Sequence, residues 1–380
     1  MTRQGFGRNG KFKIANPEVL DARLKRVGNG IIQSSLDEFL ARKIPFQMGG
    51  MSDPFSPIEN KKQVSKKLIE VLNKYSYPFI ISTKSKLVST PAYINLLAKA
   101  NCVVRFSTTV VDQKYRALID LGCSSFSEIC DSASDLSREG VPVSFRFQPV
   151  IPGFEQHAFS MLREAKSSGA RHVSVEFLKV PIDANQKFGK VLIRLFQEDP
   201  IGWYRSMGAR KQGREYILPL NYRHDFLVAF YSLAKRLSIN IGFADNDLLL
   251  HSDGGTCCSG SDIFLKKTAF FEANIVAYAK KKKVGENLIY SDLIKVWFPE
   301  RSIDRHLNST ARVNSGSPDR HASWPDYLRK MWNGEWGVYS PNFFDGVALS
   351  DGVCKEGLPI YRREATEFSR ALELNDQGIS

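Results

Sequence analysis

Phe46-Gln47-Met48-Gly49-Gly50-Met51-Ser52-Asp53-Pro54-Phe55-Ser56-Pro57-Ile58-Glu59 is a short apolar run that stops at two glycines, followed by turn formers and acids. A buried parallel strand ends in this way at the mouth of an α/β fold. Gly49 and Gly50 carry no Cβ, so a ligand can lie directly against the backbone there. Pro54 and Pro57 fix φ and stiffen the loop, while Asp53 and Glu59 stand where an acid either binds a polar ligand or caps the next helix. The same residues also fit a plain strand-to-helix turn with no ligand.

The chain behind this stretch repeats the pattern. Lys62–Lys74 places Val64, Leu68, Val71 and Leu72 on one helical face, and Phe79–Thr83 is an apolar strand ending at Lys84. Thr90–Lys99 reads as a helix, Cys102–Thr108 as a strand, Phe126–Arg138 as a helix and Val141–Pro149 as a strand. A helix over Phe154–Ser168 and a strand over Val173–Leu178 follow. Beyond Pro181 the rhythm loosens, with helices expected over Lys187–Gln197 and Arg223–Leu237 and a last strand over Ile239–Asp245. Upstream, a helix is expected from Pro17 to Val27, and Ser35 is expected to cap another through Lys43. The fold class is therefore α/β, an incomplete parallel (β/α) barrel with right-handed crossovers. It is expected over residues 44–264, after an N-terminal linker and first helices in 1–43. A basic, aromatic and mainly helical region is expected over 265–380.

Composition narrows the function. The chain has 380 residues, and 53 Lys and Arg against 40 Asp and Glu leave a charge of +13. That balance favours polyanionic partners such as nucleic acid. No apolar run approaches the ~20 residues of a membrane span. Met1 to Lys13 lacks the apolar core of a secretion signal. Six irregularly spaced cysteines do not form a disulfide framework, which points to the reducing cytoplasm.

Four segments in order carry a family resemblance: Gly49-Gly50-Met51-Ser52-Asp53-Pro54-Phe55; Pro57-Ile58-Glu59; Ile81-Ser82-Thr83-Lys84-Ser85; and Arg146-Phe147-Gln148-Pro149-Val150-Ile151-Pro152-Gly153. Together they resemble the radical S-adenosylmethionine superfamily, in its spore photoproduct lyase-like, DNA repair photolyase-related branch, over roughly residues 30–260. The resemblance implies a partial barrel whose 4Fe–4S cluster is held by a CxxxCxxC loop, and S-adenosylmethionine bound at the barrel mouth. It implies that Gly49, Gly50 and Met51 offer backbone groups to the methionyl amine and that Lys84 pairs with the carboxylate. Ser107 would bond the carboxylate or the ribose, and Arg146 or Gln148 would reach the ribose and carboxylate.

The sequence departs from that family in one respect. Its cysteines, Cys102, Cys123, Cys130, Cys257, Cys258 and Cys354, contain no CxxxCxxC. Three thiolates are the family's ligand set. The reading therefore expects the first strand and its cysteine loop to be missing, the chain being truncated, split from an upstream polypeptide, or a degenerate relative, and inactive alone. Cys257-Cys258, flanked by Gly254, Gly255 and Gly260, are expected in a loop at the active end, as hydrogen-atom donors, metal ligands or plain structural thiols. No protein metal site is assigned. Between Trp297 and Phe344, arginines alternate with rings such as Trp324, Tyr327 and Trp332, which fits either nucleic acid or a small core. Three functions compete: a radical lyase-like enzyme on a nucleic-acid or other bulky anionic substrate; a non-catalytic nucleic-acid-binding protein on a decayed barrel; and an unrelated barrel enzyme using Asp53, Glu59 and Glu176 as acid–base groups.

Overall fold

Alternating apolar strands and amphipathic helices need a sheet covered on one face, and the chain builds one. In a computed structural model, the described residues are 14–50, 52–255, 258–301, 323–335 and 339–377. Strands β1 (Phe46–Met48), β2 (Phe79–Thr83), β3 (Cys102–Val110), β4 (Val143–Val150) and β5 (His172–Phe177) run in sequence order. The chain then makes the short strands β6 (Val180–Pro181), β7 (Arg210–Gln212) and β8 (Glu215–Ile217) before returning as β9 (Asn240–Phe243). β9 pairs with β5, and all five contacts in the order β1-β2-β3-β4-β5-β9 are parallel. This is the expected α/β architecture of a partial barrel.

Helices α1 (Pro17–Gly28), α2 (Ser35–Ala41), α3 (Glu59–Lys62), α4 (Val64–Lys74) and α5 (Pro91–Leu97) precede β3. Next come α6 (Gln113–Ile119), α7 (Phe126–Arg138) and α8 (His157–Ser167). The expected start of α2 shifts by one residue: Ser34, not Ser35, is the cap, its hydroxyl accepting from Asp37 N–H at 3.3 Å. Helix α7 buries Phe126, Ile129, Ala133 and Leu136 along one stripe, and Ser125 and Glu128 close a capping box at its start. The outer sheet face supplies Ile81, Val104, Phe106, Phe145, Val175 and Phe243 to the main core beneath these helices. Each such fully buried side chain contributes about 1.5–3 kcal/mol.

The region where the rhythm loosens carries more structure than the sequence suggested. The single helix expected there divides into α9 (Ala184–Lys187) and α10 (Lys190–Leu195), with Gly189 capping the second. Helix α11 (Pro200–Ser206) follows, β8 joins β6 and β7 in an antiparallel sheet, and α12 (Leu220–Arg236) leads into β9. After residue 265 a second core gathers around Trp332, Leu288, Leu293 and Tyr361. Besides its helices, this region contains an antiparallel sheet of β10 (Asn287–Leu288), β11 (Val347–Val353) and β12 (Pro359–Arg363), in the order β10-β12-β11. Trp332 is fully buried and donates through Nε1 to Pro359 O, so it serves the core rather than a nucleic acid. The arginines between 302 and 322 lie outside the described residues. The closing helix, Glu367–Gln377, returns Phe368 and Leu372 to the main core.

Strand alternation turns the other residues of the sheet inward, and register stacks them in rows. At the N-terminal end Ile80 and Val103 pack with Phe264 and Leu265. The next row is Ser82, Arg105, Ser144 and His172, and the one above is Ser107, Arg146, Ser174 and Gly242. The inner face is thus sealed by apolar side chains at one end and polar towards the other. Arg105 donates to Ser82 Oγ at 2.9 and 3.2 Å, and Ser144 Oγ lies 2.8 Å from His172 Nδ1. Burial, and then the Arg105 charge, push the His172 imidazole down to about 3, so it stays neutral. Its contribution to stability is complete above the unfolded value of about 6.5 and is lost as pH falls towards 3, because the unfolded chain takes up a proton that the folded chain refuses. The slope on that limb approaches ~1.4 kcal/mol per pH unit. In urea titrations from pH 7 to 4, His172→Gln is expected to lose stability less steeply than the parent; parallel curves would show that His172 does not drive the loss.

Candidate functional site at the strand ends

The loop after β1 is built around one carboxylate. Asp53 Oδ1 accepts from Phe55 N–H at 2.9 Å and from Thr83 Oγ1 at 2.7 Å, while Oδ2 accepts from Lys84 N–H at 2.7 Å. These bonds tie the glycine loop to the end of β2. Gly49 has φ +90°, and a Cβ there would meet Ser82 O at 2.0 Å. Its glycine is therefore required by the neighbouring strand. At Gly50, which is exposed, a Cβ would find only the Gln47 side chain, at 3.7 Å, so no close neighbour among the described residues requires a glycine there. Glu59 is buried, accepting from Ser65 and Lys66 N–H at 3.0 Å each and from the Tyr93 hydroxyl at 2.6 Å. It caps α4, a favourable place for a carboxylate at a helix N-terminus.

Lys84 sits where β2 ends, and its Nζ lies 2.5 Å from Asp120 Oδ1 and 3.5 Å from Thr109 Oγ1. Ser107 and Arg146 face each other in register on β3 and β4, both half-buried, with Gln148 two residues further along β4. Arg146 Nη2 lies 3.6 Å from Glu176 Oε2, and Glu176 also pairs with Lys179. Behind this rim Arg223 holds Asp245 at 3.2 Å and Asp247 at 2.6 Å. Burial raises the Asp245 carboxyl to about 6 against the opposing charge of Arg223.

Gly49, Gly50 and Lys84 follow the ends of β1 and β2, whereas Ser107 and Arg146, paired in register, lie within β3 and β4 at the level where β2 ends, with Gln148 two residues further along β4. Met51 and Cys257 lie outside the described residues. The Cys258 backbone lies against β9, where a Cβ on Gly242 would meet Cys258 O at 2.0 Å, and Gly242 belongs to the same row as Ser107 and Arg146. Further along the loop, Gly260 lies against the His172 ring. Of the acid–base set of the third reading, Asp53 accepts from the β1 loop and the end of β2, Glu59 from the start of α4, and Glu176 in β5 pairs with Arg146 and Lys179. Asp120, Arg105, His172 and the Arg223 cluster were missed by sequence reasoning. The alternation Val103-Val104-Arg105-Phe106-Ser107 marks Arg105 as inward-facing, but no local signal marks Asp120.

The described thiols stand on separate elements: Cys102 in β3, Cys130 in α7, Cys123 after α6, Cys258 against β9 and Cys354 after β11. Burial pushes the Cys102 thiol up to about 12 and that of Cys130 to about 11, which keeps both protonated. Among the described residues no three His, Cys, Asp or Glu side chains gather into a metal-holding group. These residues do not fit a 4Fe–4S cluster. An open groove of about 460 Å³ lies elsewhere, beside α12 and the closing helix, lined by His224, Asp225, Asp345 and Thr366. Asp225 pairs with His224 Nδ1 and Asp345 with His251 and Thr366, while His224 Nε2 is buried without a partner among the described residues. No helix among the described residues is long and apolar enough to cross a membrane.

The structure is similar to spore photoproduct lyase. A cysteine-to-serine mutant of that enzyme matches with 17% identity and a TM-score of 0.44, over 58% of this chain and 64% of the other. The lyase complexed with dinucleoside spore photoproduct gives the same values. SuiB from Streptococcus suis matches with 10% identity and a TM-score of 0.39, over 61% of this chain and 43% of that one. The chain thus spans less than two thirds of the lyase chains it matches. No protein-family profile matches the sequence, and no curated protein does.

Gly49→Ala is expected to destabilise the fold by on the order of 1–3 kcal/mol from backbone strain alone, with the Ser82 contact adding to it. Gly50→Ala is expected to be nearly neutral. Urea denaturation of the two variants makes the comparison, and equal losses would contradict the close approach at Gly49.

Proposed function

We propose that this chain is a radical S-adenosylmethionine-type barrel protein that binds S-adenosylmethionine at the strand-end rim, with cluster thiolates supplied by another polypeptide. The observation that carries this reading is that Gly50 and Lys84 follow the ends of β1 and β2 while Ser107 and Arg146, paired across β3 and β4, lie level with the end of β2, with Gln148 beyond them. Parallel sheets bind ligands towards the C-terminal ends of their strands. Lys84 offers a cation for the methionyl carboxylate, and the exposed Gly50 stands at the neighbouring strand end, on the side of the amine. Ser107, Arg146 and Gln148 supply donors for the carboxylate and ribose. When bound with a cluster, the nucleotide supplies radical chemistry; this chain's own residues bind and orient it.

The substrate class proposed is nucleic acid or another bulky anion. Support comes from the charge of +13 and from exposed cations on the segment above β5: Lys187, Lys190, Arg194, Arg210 and Lys211. The separation of the thiols favours a second reading, a barrel that binds nucleic acid without catalysis.

Equilibrium dialysis with labelled S-adenosylmethionine is expected to show saturable binding that Lys84→Ala weakens roughly tenfold or more, since a hydrogen bond to a charged group is worth about 1.5–3 kcal/mol. An unchanged Kd in that variant would remove Lys84 from the site. Iron and sulfide assays after anaerobic reconstitution of this chain are expected to find no stoichiometric cluster. About four of each per protein would overturn the proposal of an external ligand source.

A further inference from the structure

Lys84 is held in two different ways. Its backbone is fixed on both sides, the N–H donating to Asp53 at 2.7 Å and the carbonyl accepting from Ser124 N–H at 3.0 Å. Its ammonium, by contrast, is held by Asp120, which follows α6 directly. The other contact of that carboxylate is Thr109 N–H, 3.3 Å from Oδ2. Helix α6 has no buried residue, and Leu118 and Leu121 are 52% and 77% exposed. Arg116 pins the middle of the helix to β3 through Thr109 O and Val111 O, at 3.0 and 2.9 Å. In the turn 118–123 beyond that pin both leucines are exposed, and the apolar side chain that touches the main core is the half-buried Ile119.

We propose that Asp120 is an internal stand-in for a ligand carboxylate: it occupies Lys84 until an anionic ligand displaces it, so the turn after α6 gates the rim. This rests on the reading of Lys84 as the carboxylate-binding residue. The chemistry is an exchange of one carboxylate for another on the same ammonium. The pair is partly exposed, with side chains 25% and 12% accessible, so its net worth is small and its exchange is easy. Asp53 does not compete for the ammonium, because its carboxylate already accepts three hydrogen bonds.

Two measurements on the full chain and on Asp120→Asn test the gate. Acylation of lysines by an N-hydroxysuccinimide ester, read by peptide mass spectrometry, is expected to label Lys84 about threefold faster or more in the variant. Equal or slower labelling overturns the gate. In equilibrium dialysis the variant is expected to bind S-adenosylmethionine about threefold tighter or more. Equal or weaker binding means that Asp120 orients Lys84 for the ligand, and this also overturns the proposal. Saturable binding missing from both proteins refutes the S-adenosylmethionine reading instead, and the labelling ratio then decides on the gate.

Discussion

The Asp53 carboxylate is the contact on which the rim depends. It joins two strand ends through three donors: a backbone N–H of its own loop, a hydroxyl of β2 and the N–H of Lys84. Three donors on one carboxylate fix its position and orientation. The glycine turn after β1 then has one permitted position relative to β2, and Gly49 can pass beneath Ser82 only because it lacks a Cβ. Lys84 inherits its backbone placement from the same carboxylate. Strand order brings Ser107 and Arg146 alongside, so one acid sets the frame in which the other rim residues meet.

The inner face of the sheet poses a second constraint. Parallel sheets covered by helices on one side leave the other to be filled, and this chain fills it with polar groups above an apolar seal. Buried polar groups cost stability unless they find partners. Ser82 bonds Arg105, Ser144 meets His172 Nδ1, and Glu176 answers Arg146 and Lys179 together, while His172 Nε2 and Ser174 Oγ stay buried without a partner among the described residues. The 258–265 segment completes the arrangement by lying inside, its backbone against Gly242 and the His172 ring.

Much of this was legible in the sequence because it is local. β2 and α7 fall on the expected residues, and the other sheet strands fall within about two of them, since apolar alternation and capping residues are read over short windows. The rim could be anticipated in the same way, as polar residues closing successive apolar runs. What escaped was non-local or very short. Strands of two or three residues such as β6–β8 are defined by pairing rather than by pattern. The Lys84–Asp120 pair spans 36 positions, and nothing near Asp120 announces it. The course of the 258–265 segment along the inner face was not legible either, because it rests on approaches to Gly242 and the His172 ring that no local pattern announces.

The return of the closing helix has a consequence for the order in which the molecule is made. Phe368 is almost fully buried, with its ring against Phe243 of the last sheet strand at 5.5 Å and against His251 at 5.2 Å. The side of the sheet that finishes with β9 is thus covered by residues translated more than a hundred codons later. A ribosome emitting this chain exposes an apolar flank for all of that interval, during which the barrel is assembled but not closed. A nascent chain stalled before residue 368 therefore presents a sticky surface that the folded chain covers.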